Sequence, residues 1–452
     1  MWGMSRLLPP SFILSYHFPN AEQEENEDNG YTQVESMQQK NKELSEFYQW
    51  FVGFSDAESS FWILPVLNSN NGIRKISWVF SIELHKDDHY TLEYIRCKLG
   101  YGNVRFNQDK CIFTITSMDG TSHLISIFDK YNLNTTKYLD YLNYKEAFIL
   151  YKNRDKTLIS SNIVEAENLA NKILELKNTM NTKRISTIFP KDHQVVITKS
   201  WLLGYIEGDG SFFISRTDIE PIFSITASEE QLVLFEKIKA FLEHNLGFDK
   251  YSQFKLLNSK AIAINKVKAR ETGKPSVVLL IKNIKILNNY LIPYFEVMSF
   301  ITKKGLDFND FKIMTLAVYK GSHKNEEIRS LILKLSYTMN NFRLSTNISD
   351  SKEVLNNADK NLIINAAATI EYLVDGRVRD INKDSIIVSP ISCIYEIKTP
   401  KGDILLLDSF KEVLASVGVG YRTLKKKLET EGCSSAELNG FIIRRIAVFQ
   451  PV

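Results

Sequence analysis

Two acidic residues, Glu58 and Asp209, occupy equivalent positions in two similar stretches of the sequence, FVGFSDAES and LLGYIEGDG. Each stretch predicts a helix of large apolar residues that ends near the acidic residue. If the two helices pack side by side, the carboxylates lie close together, which is unfavourable unless they share a cation. Mg²⁺ commonly takes one or two carboxylates and completes its shell with water and phosphate oxygens. The pattern therefore indicates metal-assisted phosphodiester hydrolysis.

Small residues recur four positions apart in the same stretches. Gly53 and Ala57 share one helical face in the first stretch, and Gly204 and Gly208 share one in the second. Glycine inside a helix costs about 1 kcal/mol relative to alanine, so the pattern favours close contact between two helices. One such helix before a turn would more often be structural than catalytic. The recurrence of the carboxylate in register favours a function.

Further polar residues flank the two carboxylates. Asp56 and Glu207, two positions earlier, are interpreted as contact residues at the helix interface rather than as metal ligands. Lys137 and Lys304 occupy matching places before LDY and LDF, and are candidate groups for stabilising the charge that develops on a scissile phosphate. A surface position at the start of a helix explains these lysines equally well.

The two stretches belong to a longer duplication. WFVGFSDAESSFWI returns as WLLGYIEGDGSFFI, TKYLDYLNYK as KKGLDFNDFK, and LKNTMNTKRIST as LSYTMNNFRLST, in the same order. The repeat length of about 155 residues predicts a pseudo-dimeric domain pair rather than a solenoid. Within each copy a helix precedes β-rich runs and further helices with apolar spacings of three and four. The predicted fold class is α/β (α+β), with one antiparallel sheet in each repeat.

Composition shifts predict five regions. Residues 20–46 contain eight acidic residues and two lysines, so the rest of the chain is more basic than the net charge of +3 suggests. This balance permits nucleic-acid binding without demonstrating it. The predicted regions are a disordered acidic leader (1–44), the first repeat (45–190), the second repeat (191–346), a linker or extension (347–390) and a small C-terminal module (391–452) with a hairpin, two short helices and a last strand.

Composition also excludes several classes of protein. A hydrophobic fraction of 44% with 27 Phe and 20 Tyr is typical of a globular chain. No run of apolar residues is long enough to predict a membrane span. The four cysteines (Cys97, Cys111, Cys393 and Cys433) lie far apart, without zinc-ligand spacing or a disulfide framework. This usage fits a reducing compartment.

FVGFSDAES and LLGYIEGDG resemble the two signature motifs of the LAGLIDADG homing endonucleases, in the single-chain form and over roughly residues 45–346. The resemblance implies two antiparallel sheets forming a saddle over double-stranded DNA, with the motif helices at the repeat interface. It implies that Glu58 and Asp209 bind Mg²⁺, or another divalent cation such as Mn²⁺, and that each strand is cut across the minor groove to leave short 3′ overhangs. It also implies a monomer encoded in an organellar intron, with a mitochondrial location.

The C-terminal module resembles the helix-turn-helix-like units often appended to homing nucleases. Its sequence GVGYRTLKKK places four basic residues after a helix-breaking pair of glycines: Arg422, Lys425, Lys426 and Lys427. If the module binds DNA, these side chains are the candidate phosphate contacts. A solvated run of lysines is the simpler alternative.

Two departures from the family pattern favour a second interpretation. Ser59 replaces the final glycine of the first motif, at a position expected to prefer positive φ, whereas the second motif retains Gly210. Leu84 and Ala227 stand where many members of the family have a glutamine. These changes are more compatible with an RNA maturase that assists splicing of its own group I intron, with weak or no nuclease activity. A copy that folds but has neither activity is the third possibility.

Overall fold

The computed structural model describes residues 30–67, 73–269, 273–348, 354–387, 392–428 and 435–451 of the 452-residue chain. Residues 46–452 form one compact unit, and the contacts described below lie within it. The other unit, residues 1–45, includes the N-terminal part of α1 (Gly30–Glu58). This helix begins inside the stretch predicted as a disordered leader, because its glutamine, glutamate, lysine and methionine residues favour helix. Residues 1–29 of that leader lie outside the described residues.

The first repeat begins with the C-terminal half of α1 and continues with four strands and five helices. These elements are β1 (Ser59–Leu67), β2 (Ile73–His85), α2 (His89–Leu99), β3 (Asn103–Asn107), β4 (Lys110–Ile115), α3 (Met118–Lys130), α4 (Lys137–Lys152), α5 (Lys156–Ser161) and α6 (Ile163–Asn178). The strands form an antiparallel sheet in the order β1-β2-β4-β3.

The second repeat has the same order of strands, but it has two helices before its third strand and only one helix after α12. Its elements are α7 (Lys199–Asp209), β5 (Gly210–Ser215), β6 (Glu220–Ser228), α8 (Leu232–Asn245), α9 (Lys250–Leu257), β7 (Ile262–Val267), β8 (Ser276–Ile281), α10 (Ile284–Ile286), α11 (Ile292–Glu296), α12 (Lys304–Tyr319) and α13 (Glu326–Ser336). A π-helical turn, Leu287–Leu291, joins α10 to α11. The sheet order β5-β6-β8-β7 repeats that of the first sheet, which confirms the predicted antiparallel α/β fold.

Equivalent aromatic pairs fix the register of the hairpin that follows each motif helix. Phe61 on β1 is paired with Phe80 on β2, with ring centroids 5.3 Å apart. Phe212 on β5 is paired with Phe223 on β6, with centroids 5.1 Å apart. All four rings are buried, because the alternation of a strand turns every second side chain towards the helices. Each sheet therefore starts directly after Glu58 or Asp209, at a fixed register.

Two smaller sheets follow the repeats. The extension contains α14 (Asn357–Asn365), β9 (Ile370–Tyr372), β10 (Val378–Asp380) and β11 (Ser385–Ile387), with the sheet order β11-β10-β9. The C-terminal module contains β12 (Cys393–Lys398), β13 (Ile404–Leu407), α15 (Phe410–Val417), α16 (Tyr421–Leu428), β14 (Ser435–Leu438) and β15 (Phe441–Ala447), with the sheet order β13-β12-β15-β14. Gly418 ends α15 at a φ of 69°, where the sequence predicts a helix break.

The C-terminal module has a small core of its own but is docked on the second repeat. Phe449 N donates to Ser252 Oγ at 2.8 Å, and Phe449 O accepts from Asn289 Nδ2 at 2.9 Å. Lys255 on α9 forms an ion pair with Asp408 at 2.7 Å. These contacts bury polar groups from both partners, so the module is held more firmly than a flexible appendage.

None of the described helices is long and apolar enough to cross a membrane.

Candidate active site

The two motif helices, α1 and α7, approach each other so closely that their glycines have no room for a side chain. A Cβ atom at Gly53 would lie 2.0 Å from Trp201 O, and one at Gly204 would lie 2.1 Å from Trp50 O. Both distances are far below van der Waals contact with backbone atoms, which cannot move aside. The crossing of α1 and α7 therefore explains why both motifs carry glycine at this position.

The contact continues to the C-terminal ends of the helices. A Cβ atom at Gly208 would lie 2.3 Å from Ala57 Cβ and 3.3 Å from Glu58 Oε1. Glu58 therefore lies against the partner helix beside Gly208, the residue that precedes Asp209. The structure brings together the four predicted small residues and places the two carboxylates at the same end of the helix pair.

Burial and mutual repulsion change the proton affinity of these carboxylates. Loss of hydration raises the pKa of Asp209 to about 7, and the charge of Glu58 adds to this rise. Burial also raises the pKa of Glu58, while Lys137 and Lys304 oppose that rise. Two hard oxygen donors whose ionised forms are disfavoured by burial are a suitable donor set for a divalent cation such as Mg²⁺. The residues present therefore fit the metal that the sequence pattern implies.

Lys137 begins α4 and Lys304 begins α12, and both side chains extend to the C-terminal ends of the motif helices instead of the outer surface. Lys137 Nζ donates to Ala57 O at 2.6 Å, and Lys304 Nζ donates to Gly210 O at 2.6 Å. Each lysine thus binds a carbonyl next to a carboxylate residue. Desolvation lowers the pKa of both ammonium groups, and the neighbouring carboxylates oppose this effect. The structure places the lysines and carboxylates in one cluster, against the alternative of two surface lysines.

Asp56 anchors the loop that leads into α4. Its carboxylate accepts hydrogen bonds from Asn134 N at 2.8 Å, from Thr135 N at 2.9 Å and from Thr135 Oγ1 at 2.6 Å. It also accepts from Trp201 Nε1 of the second repeat at 2.9 Å. Burial raises the pKa of Asp56, while these donors lower it. The fully engaged carboxylate holds the start of α4, and with it Lys137, and joins the two repeats.

Glu207 has the same task in the second repeat. It accepts from Ile301 N at 2.8 Å and from Thr302 N at 2.7 Å, directly before α12. Burial raises the pKa of Glu207 to about 7. Its bonds to the backbone fix the start of α12 and the position of Lys304, as the sequence interpretation of a contact residue expects.

A cavity of about 410 Å³ opens beside Glu58 between the two repeats. Leu84 and His85 line it from the first repeat, and Lys303 and Lys304 line it from the second. Leu84 therefore reaches this cavity with an apolar side chain that binds neither water nor metal. The sequence pattern identified Leu84 as a departure from the family, and the structure places that departure in the cavity wall.

Asp88 and Lys303 form a polar contact that the sequence reasoning missed. Asp88 Oδ1 accepts from Lys303 N at 3.1 Å, and Asp88 Oδ2 pairs with Lys303 Nζ at 2.9 Å. Both residues line the cavity and belong to different repeats. Asp88 lies shortly after β2 and Lys303 directly precedes Lys304, and this proximity to predicted site elements is the only indication that the sequence offers for either residue. Their pairing over 215 residues is not readable from sequence.

The expectation about Gly210 and Ser59 was wrong. Gly210 has a φ of −79° and an extended backbone, not a left-handed one. It is small because a Cβ atom there would lie 2.6 Å from Ile206 O. Ser59 occupies the equivalent place in the first repeat and donates its Oγ to Ser55 O at 2.7 Å. The serine is accommodated in the fold, so it is not an obstacle to forming the site.

The four basic residues that the sequence predicts as phosphate contacts lie on α16, in the C-terminal module and not in the two repeats that carry the carboxylates. Leu424 and Leu428 are buried against the module, and the basic side chains are exposed on the remaining surface of the helix: Arg422, Lys425, Lys426 and Lys427. Lys425 Nζ lies 5.8 Å from the centre of the Tyr421 ring. The helix therefore presents a basic outer face.

Comparison with known proteins gives a consistent result. The model of the LAGLIDADG endonuclease family matches residues 51–148 and 202–315, one match in each repeat. An uncharacterized mitochondrial protein, RF1, of Saccharomyces cerevisiae is 26% identical over 330 residues, which cover 70% of this chain and 64% of that protein. A "probable intron-encoded endonuclease", Cox1-I1b, of Schizosaccharomyces pombe is 27% identical over 296 residues, which cover 64% of this chain and 69% of that protein. The chain thus matches about two thirds of the length of these relatives.

Solved structures share the two-repeat fold. The LAGLIDADG homing endonuclease I-GzeII in complex with its DNA target matches with a TM-score of 0.54 at 22% identity, covering 65% of this chain and 99% of that chain. The meganuclease I-SmaMI bound to uncleavable DNA matches with a TM-score of 0.53 at 23% identity, covering 66% of this chain and 98% of that chain. With both motif helices, both sheets and both family matches in register, the chain belongs to the LAGLIDADG endonuclease family.

Proposed function

We propose that this chain is a site-specific homing endonuclease that hydrolyses phosphodiester bonds in double-stranded DNA. One observation carries the proposal: Glu58 and Asp209 lie at the same end of two helices whose contact leaves no room for side chains at the glycines. Burial disfavours the ionised form of both carboxylates and so raises their pKa values, and a cation shared by the two would offset this cost. Glu58 and Asp209 are therefore the proposed metal ligands.

Glu58 and Asp209 would hold a divalent cation, which would supply an activated water and stabilisation of the leaving oxygen. The remaining work belongs to the protein side chains. Lys137 and Lys304 place positive charge beside the carboxylates, where negative charge develops on a phosphate in the transition state. Asp56 and Glu207 keep these lysines in place through the starts of α4 and α12.

The relatives support the remaining parts of the proposal. The S. cerevisiae protein is described as mitochondrial and the S. pombe protein as intron-encoded, and the I-GzeII structure contains a DNA target. We therefore propose that this chain is mitochondrial and encoded within an intron. Because both repeats belong to one polypeptide, we also propose that it acts as a monomer, on the DNA that lacks this intron. Mg²⁺ is the proposed ion, with Mn²⁺ as a substitute.

The second candidate is an RNA maturase that binds its own group I intron. The observation in its favour is the lining of the cavity, where Leu84 offers no polar group to hold a water molecule. Ala227, at the end of β6, has the same defect in the second repeat. Neither apolar side chain can hold a water molecule for hydrolysis, whereas binding of RNA does not require such a water.

A direct experiment separates the two functions. Purified protein is incubated with Mg²⁺ and a DNA spanning the intronless insertion site, and in parallel with the unspliced precursor RNA. Specific cleavage of the DNA, abolished in the Glu58→Gln variant, supports the endonuclease. Accelerated splicing without DNA cleavage identifies a maturase, and the absence of both activities in folded protein leaves the inactive copy.

A further inference from the structure

In each repeat, a turn after the last helix forms hydrogen bonds with two other elements. One is the helix that begins with the candidate lysine, α4 or α12, and the other is the strand that follows the carboxylate residue, β1 or β5. In the first repeat, Asp140 Oδ1 on α4 accepts from Asn181 N at 3.0 Å and from Arg184 Nε at 2.8 Å. Asn181 has a φ of 53°, and its Nδ2 donates to Phe61 O on β1 at 2.9 Å. We call Asp140, Asn181 and Arg184 the first clamp.

The second repeat contains the same arrangement. Asp307 Oδ1 on α12 accepts from Asn340 N at 3.0 Å and from Arg343 Nε at 2.8 Å. Asn340 also has a φ of 53°, and its Nδ2 donates to Phe212 O on β5 at 3.0 Å. We call Asp307, Asn340 and Arg343 the second clamp. The recurrence of these matching features in both copies of the repeat shows that the turn is a defined part of this architecture.

The position of the clamps relates them to the site. Asp140 lies three residues after Lys137, and Asp307 lies three residues after Lys304, so each aspartate is in the first turn of the lysine helix. Both aspartates are buried. The asparagine of each clamp binds the strand three residues beyond Glu58 or Asp209. Each clamp therefore ties the helix that carries the lysine to the strand that leaves the carboxylate.

We propose that the first clamp positions Lys137 and the second clamp positions Lys304, so that each clamp controls the cleavage of one DNA strand. The catalytic consequence rests on the proposed endonuclease function. The positioning itself does not, because it concerns the geometry of the folded chain. Asn181, Arg184, Asn340 and Arg343 are thus positioning residues that act through the lysines.

The clamps differ in one respect that sharpens the proposal. Arg343 Nη2 donates to Asp310 Oδ2 at 2.5 Å, and Asp310 Oδ1 accepts from Lys360 Nζ of the extension at 2.6 Å. Arg184 Nη2 is buried without a hydrogen-bond partner among the residues that the structure describes. A lysine offers one compact donor in place of the guanidinium fork. Lysine should therefore replace Arg184 better than it replaces Arg343.

The first test measures the lysines without requiring activity. Asn181→Gly and Asn340→Gly accommodate the positive φ and remove only the side-chain bond to the strand. Brief acetylation by an amine-reactive ester, followed by peptide mass spectrometry, reports the exposure of each lysine. We expect several-fold faster acetylation of Lys137 in the first variant and of Lys304 in the second. Equal acceleration at both lysines, or at neither, overturns the proposal.

Arg184→Lys and Arg343→Lys provide a second pair of variants if a glycine variant does not fold. The expected result is little change at Lys137 in the first and faster acetylation of Lys304 in the second. A folded Arg343→Lys protein with unchanged Lys304 reactivity contradicts the proposal.

The second test follows each strand of a DNA target labelled separately at its two 5′ ends. Each glycine variant should cut one strand roughly tenfold to a hundredfold more slowly, since small misplacements of a catalytic group cost this much. Nicked DNA should accumulate, with opposite strands cut in the two variants. Equal slowing of both strands overturns the proposal. If the wild-type protein cuts no DNA, the proposed function fails, and the acetylation pattern still decides whether the clamps position the lysines.

Discussion

At the scale of single residues, two carboxylates in unfavourable surroundings define the candidate site. Asp209 and Glu58 lie at the same end of packed helices, and burial raises the pKa of each. A purely structural role does not explain why each repeat has one such carboxylate at the equivalent position. A role in holding a cation explains their position, their burial and their duplication together.

Removing one charge should separate catalysis from binding. Asp209→Asn keeps the size of the side chain but weakens the hold on a cation, so DNA cleavage should fall by more than the roughly 10–100-fold seen when a residue outside the ligand shell is replaced. DNA affinity, measured by fluorescence anisotropy, should change little. Asp119→Asn, at an exposed site on α3, removes the same charge and should cut normally. Wild-type cleavage rates for Asp209→Asn would falsify the assignment.

The raised pKa of Asp209 also predicts a dependence on pH. Because its pKa rises from 3.8 to about 7 on folding, the folded state binds the proton more tightly than the unfolded state. Without metal, the stability contributed by the proton is present at low pH and is lost as the pH rises towards about 7. The unfolding temperature of the wild type, relative to that of Asp209→Asn, should therefore fall between about pH 4 and about pH 7 and change little above that.

Mg²⁺ should act in the opposite direction, because protons compete with the cation for the carboxylates. The increase in unfolding temperature on adding Mg²⁺ should be larger above the pKa of Asp209 than below it. An increase that is independent of pH, or equal in Asp209→Asn, would place the cation elsewhere.

At the scale of elements, the packing of α1 against α7 sets the geometry of the site. Gly53 and Gly204 each meet a tryptophan carbonyl of the partner helix. The sequence predicted this packing well, because the spacing of small residues and the duplication are both local patterns. It did not predict the clamps, because they join residues that are distant in the sequence, such as Phe61 and Asn181, which are 120 positions apart. The φ of Gly210 was misjudged because a tight fit and a left-handed turn both select glycine.

A single methyl group should show how tightly the helices fit. Gly204→Ala adds a Cβ atom 2.1 Å from Trp50 O, and we expect a decrease of about 1–3 kcal/mol in the free energy of unfolding, as for other overpacked cores. Gly420→Ala is the matched control, since a Cβ atom there meets no other atom within 4 Å. Urea denaturation of both variants measures the difference. Equal stabilities would show that the helices separate easily.

At the scale of the whole molecule, the C-terminal module is part of the second repeat's packing. The sequence predicted its hairpin, its two helices and its last strand from local turn signals. The docking on α9 joins residues such as Ser252 and Phe449, 197 positions apart, and no periodic pattern reports it. Deleting the module would therefore remove more than a DNA-binding surface. It would also leave Asn289 and Lys255 without the partners that the module supplies.

Point substitutions on α16 are the better test of DNA binding by the module. The triple variant Lys425→Gln, Lys426→Gln, Lys427→Gln keeps the buried Leu424 and Leu428, so it should fold normally. If these lysines meet phosphates, the slope of log affinity against log salt should decrease by about one for each lysine that binds a phosphate in the wild type. Cleavage at saturating protein should persist.

Lys401 and Lys411 are exposed lysines of the same module and provide the control. The double variant Lys401→Gln, Lys411→Gln also removes positive charge, but away from α16. An unchanged salt slope in the triple variant, or an equal change in the control, would show that α16 does not contact DNA.

The docking of Phe449 also has a consequence for the order of synthesis. The polypeptide leaves the ribosome from its N-terminus, so the first repeat is available to fold while the second is still being made. The second repeat waits longer: Phe248 and Tyr290 stay uncovered until the Phe449 ring, which lies 5.8 Å from the Phe248 ring, has emerged. A product that stops early would expose these aromatic rings and unpaired polar groups. Such truncated chains should be short-lived substrates for proteases, so production of this protein depends on completing its translation.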